Sequence, residues 1–172
     1  MDFPQKIMIF GRPGSGKSTF AHKLHQKTQI PIFYGDKYFF EANWKMKSPE
    51  KCFQIQQSFI HQPRWIIDGN CISCLDTFEQ RFILADLVIF FNFSRWLCLF
   101  RILKRRFFRD KKIDDRAENC RESISWSLVK FTWNCETSFA PFIRGLRERY
   151  PSKNFVEIKK MKNLDDLMKY FA

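Results

Sequence analysis

Eight residues near the start of the chain, Gly11 to Ser18 (G-R-P-G-S-G-K-S), constrain its fold more than any other feature. They follow the apolar run Ile7-Met8-Ile9-Phe10 directly. G-x-x-x-x-G-K-[ST] after a strand and before a helix is the pattern of a phosphate-binding loop. Gly11, Gly14 and Gly16 carry no Cβ, so the backbone can turn its N–H groups inward around an anion. Lys17 adds a point charge for the β- and γ-phosphates, and the Ser18 hydroxyl suits Mg²⁺. Ser15 and Thr19 complete the expected lining. The helix that begins near Gly16 aims its positive end at the same anion. The loop does not say what receives the phosphate.

The rest of the chain reads as strands alternating with helices. Strands are expected at Lys6–Phe10, Ile32–Tyr34, Trp65–Asp68, Leu87–Phe93 and Asn154–Lys159. Helices are expected at Lys17–Lys27, Trp96–Phe108, Arg121–Arg149 (interrupted at Pro141) and Leu164–Phe171. The stretch from Lys37 to Gln62 reads as helical and irregular. Such alternation predicts an α/β fold with a parallel sheet covered on both faces. Ligands of these sheets gather at the carboxyl ends of strands. The loop, Asp36 and Asp68-Gly69-Asn70 all fall at such ends. At 172 residues one domain is expected.

Composition narrows the class. With 45% hydrophobic and 28% charged residues, the chain is that of a folded protein. No apolar signal segment precedes Gly11, and Phe82–Phe100 carries Asp86 and Arg95, so neither a secretory signal nor a membrane span is expected. The six cysteines are scattered, and Cys71-x-x-Cys74 lacks the second pair that a zinc site needs. Reduced thiols in a cytoplasmic protein, without a membrane partner, follow. His22, His25 and His61 have no ligand spacing. The many phenylalanines, together with Trp96, Trp126 and Trp133, are assigned to the core.

Net charge is +12, and it is uneven. Nine Lys/Arg against four acids lie between Arg101 and Arg121, which marks a localised anion-handling element. Arg101 and Arg105 are four apart on a helix and share a face, with Arg109 one step further. Arg105 suits transferring phosphates and Arg101 a nucleotide base. Residues 106–120 suit a basic lid. Asp68 is a candidate metal carboxylate or a turn-forming Asp before Gly. Asp36 is a candidate for accepting or orienting an acceptor hydroxyl, or a helix cap. Trp44 either packs against substrate or covers the acceptor-side helices, and Asn70 is placed with the acceptor.

Five segments carry a family resemblance: G-R-P-G-S-G-K-S-T (Gly11–Thr19), G-D-K-Y-F-F (Gly35–Phe40), W-I-I-D-G-N (Trp65–Asn70), A-D-L-V-I-F (Ala85–Phe90) and S-R-W-L-C-L-F-R-I-L-K-R-R (Ser94–Arg106). The chain resembles adenylate-kinase-like P-loop kinases and, within them, the bacterial "DNA topology modulation protein" group. The resemblance implies a three-layer P-loop NTPase fold with a five-stranded parallel sheet and a helical lid. It also implies an acceptor region over residues 37–63. Arg101 and Arg105 match the adenine-stacking and phosphate-binding lid arginines of nucleotide kinases. Cys71 departs from the aromatic residue that usually follows D-G-N.

Two function classes follow. One is an ATP-dependent, Mg²⁺-requiring kinase that passes the γ-phosphate to a nucleotide, nucleoside or similar small molecule. The other is a nucleotide-gated, DNA-associated regulator that uses the net charge for backbone contacts. No DNA-binding motif supports the second, and a family does not fix the acceptor.

Overall fold

The computed structural model describes residues 3–70, 75–107, 113, 115, 117, 120 and 124–171. Five strands form one parallel sheet in the order β2-β5-β1-β6-β7. They are β1 (Lys6–Gly11), β2 (Ile32–Tyr34), β5 (Trp65–Asp68), β6 (Leu87–Phe91) and β7 (Phe155–Ile158). A two-stranded antiparallel hairpin, β3 (Phe40–Glu41) and β4 (Lys45–Met46), stands apart. The helices are α1 (Lys17–Thr28), α2 (Gly35–Phe39), α3 (Pro49–Ile60), α4 (Leu75–Leu84), α5 (Arg95–Phe107), α6 (Trp126–Arg149) and α7 (Met161–Tyr170).

Strand β1 is the middle strand, and both its faces are buried. Met8 and Phe10 point into a core completed by α3, α4 and α6, through Phe59, Phe78, Phe82, Phe139 and Leu146. Ile7 and Ile9 point the other way, toward Phe20, Ala21 and Leu24 of α1, with Cys98 and Phe171. Alternate residues serve opposite faces because successive side chains in a strand point oppositely. Near-continuous apolar strands follow from this double burial.

Several expected boundaries move. Helix α6 runs unbroken through Pro141. The lost N–H and ring crowding do not end it, because Phe139, Ile143 and Leu146 on either side are held in the core. Helix α4 was not expected from the sequence. Residues 37–62 resolve into α2, the hairpin with its short 3₁₀ turn Ala42–Trp44, and α3. Ser48 caps α3 by accepting the Lys51 N–H, with Pro49 in the first turn. Strand β6 stops at Phe91, and α7 begins earlier than expected, at Met161.

The tryptophans correct a second expectation. Trp96, Trp126 and Trp133 are not core residues: they are 69%, 80% and 37% exposed. The four described cysteines, Cys52, Cys98, Cys120 and Cys135, are free and buried. Burial pushes the Cys98 thiol up, and the Cys135 thiol to about 11, so both are inert packing groups. Cys71 and Cys74 lie outside the described residues. His25 and His61 each place Nδ1 2.7 Å from a nearby backbone oxygen, of Ile30 and Gln57.

Candidate functional site: the phosphate loop and its carboxylate

Strand β1 ends where the loop begins, and its register fixes what surrounds it. Ile9 pairs with Asp68, and Asp68 pairs in turn with Tyr34, while Gly11 pairs with Phe91. Asp68 therefore stands between the loop strand and the strand that leads to Gly35-Asp36. The close approach needs glycine. Gly69 has φ +147°, and a Cβ there would stand 3.2 Å from the Gly35 Cα. At Gly11 (φ +135°) a Cβ would fall 2.3 Å from the Phe91 carbonyl oxygen.

The loop is held from three sides. The Arg12 N–H donates to the Phe91 carbonyl at 3.1 Å. The Gly11 N–H donates to Asn70 Oδ1 at 2.8 Å. Arg101 donates to the Ser15 carbonyl at 3.1 Å from Nη1, with its guanidinium 5.3 Å from the Phe93 ring. Gly16, at φ +94°, caps the N-terminus of α1, so the helix starts at the loop's last glycine, where its positive end would favour an anion. Lys17 Nζ donates to the Arg12 carbonyl at 3.2 Å, which keeps the ammonium over the loop.

These groups open on a cavity of about 420 Å³. Residues Gly14 to Thr19 line it together with Arg101, Arg105 and Asp115, and Met161 and Leu164 add apolar wall. The cavity thus joins a cationic, amide-rich end to an apolar end. A larger groove of about 580 Å³ lies between α6 and β7 and does not include the loop.

Asp68 is 4% exposed, and its Oδ1 has no hydrogen-bond partner among the described residues. A buried carboxylate oxygen without a donor is costly unless something else satisfies it. Burial pushes the Asp68 carboxyl up to about 6. Nearby Asp36 and Asp115 push the same way, against the Lys17 ammonium and the Ser18 hydroxyl. An orphaned oxygen beside a hydroxyl fits a hard cation. Mg²⁺ takes oxygen ligands, commonly one or two carboxylates plus phosphate and water. Ser18 and Asp68 are the residues that could hold it.

The sequence-derived residues divide as follows. Gly11, Gly14, Ser15, Gly16, Lys17, Ser18, Thr19, Asp68, Arg101 and Arg105 gather at or beside the loop. Asp36 is exposed in the first turn of α2 and close enough to raise the Asp68 pKa. Asn70 lies beside the loop, with its Oδ1 committed to Gly11. The Trp44 ring lies against Phe40 at a 5.6 Å separation, and the Trp44 backbone N–H donates to Cys120 Sγ at 3.4 Å. Arg109 and most of the 106–120 segment lie outside the described residues.

Two arginines that the sequence reading passed over build the site. Arg12, 2% exposed, donates from Nη1 to the Thr132 carbonyl at 2.6 Å, and its Nη2 lies 3.4 Å from Glu136. Its side chain is thus fixed by α6 while its carbonyl holds Lys17. Arg81, fully buried, donates to the carbonyls of Gly69 and Asn70, both at 3.1 Å. Arg12 falls at a variable position of the loop pattern, and Arg81 on the unexpected helix, so no motif flags either. Arg12→Ala should cost about 1.5–3 kcal/mol, as loss of hydrogen bonds from a charged group does. It should also weaken nucleotide binding. Denaturant melts and titration calorimetry check both, and an unchanged melt would refute the brace.

A five-stranded parallel sheet, with this loop after its middle strand and helices on both faces, is a P-loop fold. Scans of family models and of curated proteins find no match to the chain. Among solved structures it is similar to a shikimate kinase from Bacteroides thetaiotaomicron, with TM-score 0.59, 13% identity and 98% of each chain covered. It is also similar to a gluconokinase from Sinorhizobium meliloti, with TM-score 0.59, 14% identity, and 99% and 91% covered. At that identity the likeness is one of fold. No helix of the described residues is long and apolar enough to cross a membrane.

Proposed function

We propose that the chain is an ATP-dependent, Mg²⁺-requiring kinase that transfers the γ-phosphate to a small hydroxyl- or phosphate-bearing acceptor. One observation carries it: the orphaned Asp68 oxygen beside Ser18 and Lys17, at the point where β1, β2 and β5 end together. The folds it resembles are those of two small-molecule kinases, and their names support the class without naming the acceptor. The resemblance to the "DNA topology modulation protein" group rests on the five motifs, and the DNA-associated alternative gains no observation from the described residues.

The chemistry would run by positioning and charge neutralisation, as phosphoryl transfer does. Loop amides and the α1 terminus hold the phosphates, and Lys17 leaves the Arg12 carbonyl to pair with them. Arg105, from the cavity wall, neutralises charge on the transferring group, and Arg109 is assigned to the same task on its sequence spacing alone. Arg101 flanks the base end. Ser18 and Asp68 would hold Mg²⁺, which would supply charge neutralisation for the phosphates. Asp36 accepts or orients the acceptor hydroxyl, and Asn70 and Trp44 border the acceptor region of residues 37–63.

Thermal-shift measurement with nucleotides, nucleosides and sugars, each with and without Mg-ATP, tests this reading. Ligand linkage predicts a rise of about 2.7 kcal/mol in stability at a hundredfold excess over the dissociation constant. Mg-ATP should stabilise alone, and one acceptor class should add to it. No stabilisation by any triphosphate would refute the reading.

A further inference from the structure

The tryptophans displaced from the core lie together on one face. Helix α5 buries Cys98 and Ile102, which pack on the loop at Gly14. At about 100° per residue, Trp96, Phe100 and Leu103 lie roughly 150° away from that stripe. They are 69%, 62% and 53% exposed. A soluble helix ordinarily presents charge there. On α6, Trp126 and Trp133 are two turns apart on a shared face, with exposed Lys130 between them. Trp96 and Trp133 join the two stripes at 5.0 Å. Exposed Arg95 and Lys104 complete the cationic border.

We propose that this α5–α6 face docks on an anionic lipid bilayer surface. Trp, Phe and Leu flanked by Lys and Arg is the composition of an interfacial helix face: apolar groups enter the headgroup boundary while the cations meet anionic lipid. Charge decides against a second copy, because a two-fold contact apposes the same patch from both chains and would bring one border of Arg95, Lys104 and Lys130 up to another. Ring geometry decides against a nucleic acid. Bases stack on open ring faces, but Arg95 covers a face of Trp133 at 4.8 Å, and Trp96 meets that ring at 90°. A protein partner usually anchors side chains in pockets, and both cavities described above open elsewhere. Arg101 and Arg105 project from another side of α5 toward the phosphate cavity, so docking leaves it accessible. Such docking is contact with a membrane surface and needs no helix that crosses the bilayer.

Cosedimentation of the full chain with vesicles at physiological salt tests it. Phosphatidylcholine vesicles containing phosphatidylglycerol should bind the protein and blue-shift its tryptophan emission, and pure phosphatidylcholine should bind it far less. Trp96→Ser with Phe100→Ser should weaken binding by about tenfold or more, at an unchanged unfolding midpoint. Lys104→Glu with Lys130→Glu should do the same through charge. Equal binding by the aromatic variant would overturn the proposal, since net charge alone would then account for it. So would loss of wild-type binding at that salt, a dimer that buries Trp96, or tighter Trp96-dependent binding of a single-stranded oligonucleotide.

Discussion

Lys17→Ala is expected to lower turnover by about 10³-fold, the scale on which loss of one preorganised charge-stabilising group acts. The fold should be unaffected. Lys17 makes its hydrogen bond to the Arg12 carbonyl, and Arg12 remains held by its own bonds to α6. A second consequence separates the ammonium from a generic positive charge. Lys17 pulls the Asp68 carboxyl down against the effect of burial. Without it, the Asp68 carboxyl of the metal-free protein should hold its proton to a higher pH, which titration of that group in the two proteins checks. A variant with wild-type turnover would place the phosphate elsewhere.

Asp68→Asn is expected to separate stability from activity. Burial holds the Asp68 carboxyl at about 6 when folded, above its ordinary 3.8. The folded state therefore binds the proton more tightly than the unfolded chain. That contribution is complete below about pH 4 and is lost as pH rises through about 6. At neutral pH the protein carries a buried, ionised and half-satisfied carboxylate. The neutral amide should then stabilise it by an amount on the order of 1–3 kcal/mol, with the gain vanishing as pH falls toward 4. Turnover should meanwhile demand about 10–100-fold more Mg²⁺, as loss of an orienting metal contact does. Melts across pH and Mg²⁺ titrations of the rate measure the two effects. A destabilised variant with normal Mg²⁺ dependence would make Asp68 a turn residue only.

Much of the fold was legible because its strands are apolar runs, with the three central ones buried on both faces. Ile32–Tyr34 and Trp65–Asp68 begin and end where an apolar run bounded by Gly or Pro says they should. The phosphate loop was legible for a stronger reason, since its glycines answer to steric demands the structure confirms at Gly11 and Gly14. What failed was long-range. Pro141 reads as a helix break because its local cost is visible in the sequence, whereas the core contacts that override it are not. Trp96 and Trp133 read as core because size and apolarity are visible, and which face of a helix meets solvent is not.

The candidate site shows the same limit. Gly11–Thr19, Asp68 and the Arg101–Arg105 pair could be read from spacing and strand ends. Arg12 and Arg81 could not, because each acts through backbone carbonyls distant in sequence, at Thr132 and at Gly69 and Asn70. A carbonyl leaves no signature in a side-chain pattern. Asn70 reads as an acceptor contact from its place after the strand, whereas its Oδ1 accepts from the loop's first N–H.

Transfer of label from γ-phosphate-labelled ATP tests the central claim most directly. Wild-type protein with Mg²⁺ should move label onto at least one acceptor from a panel of nucleosides, nucleotides and sugar hydroxyls, and Lys17→Ala should move none above background. Label released only as inorganic phosphate, at a rate no acceptor changes, would contradict it.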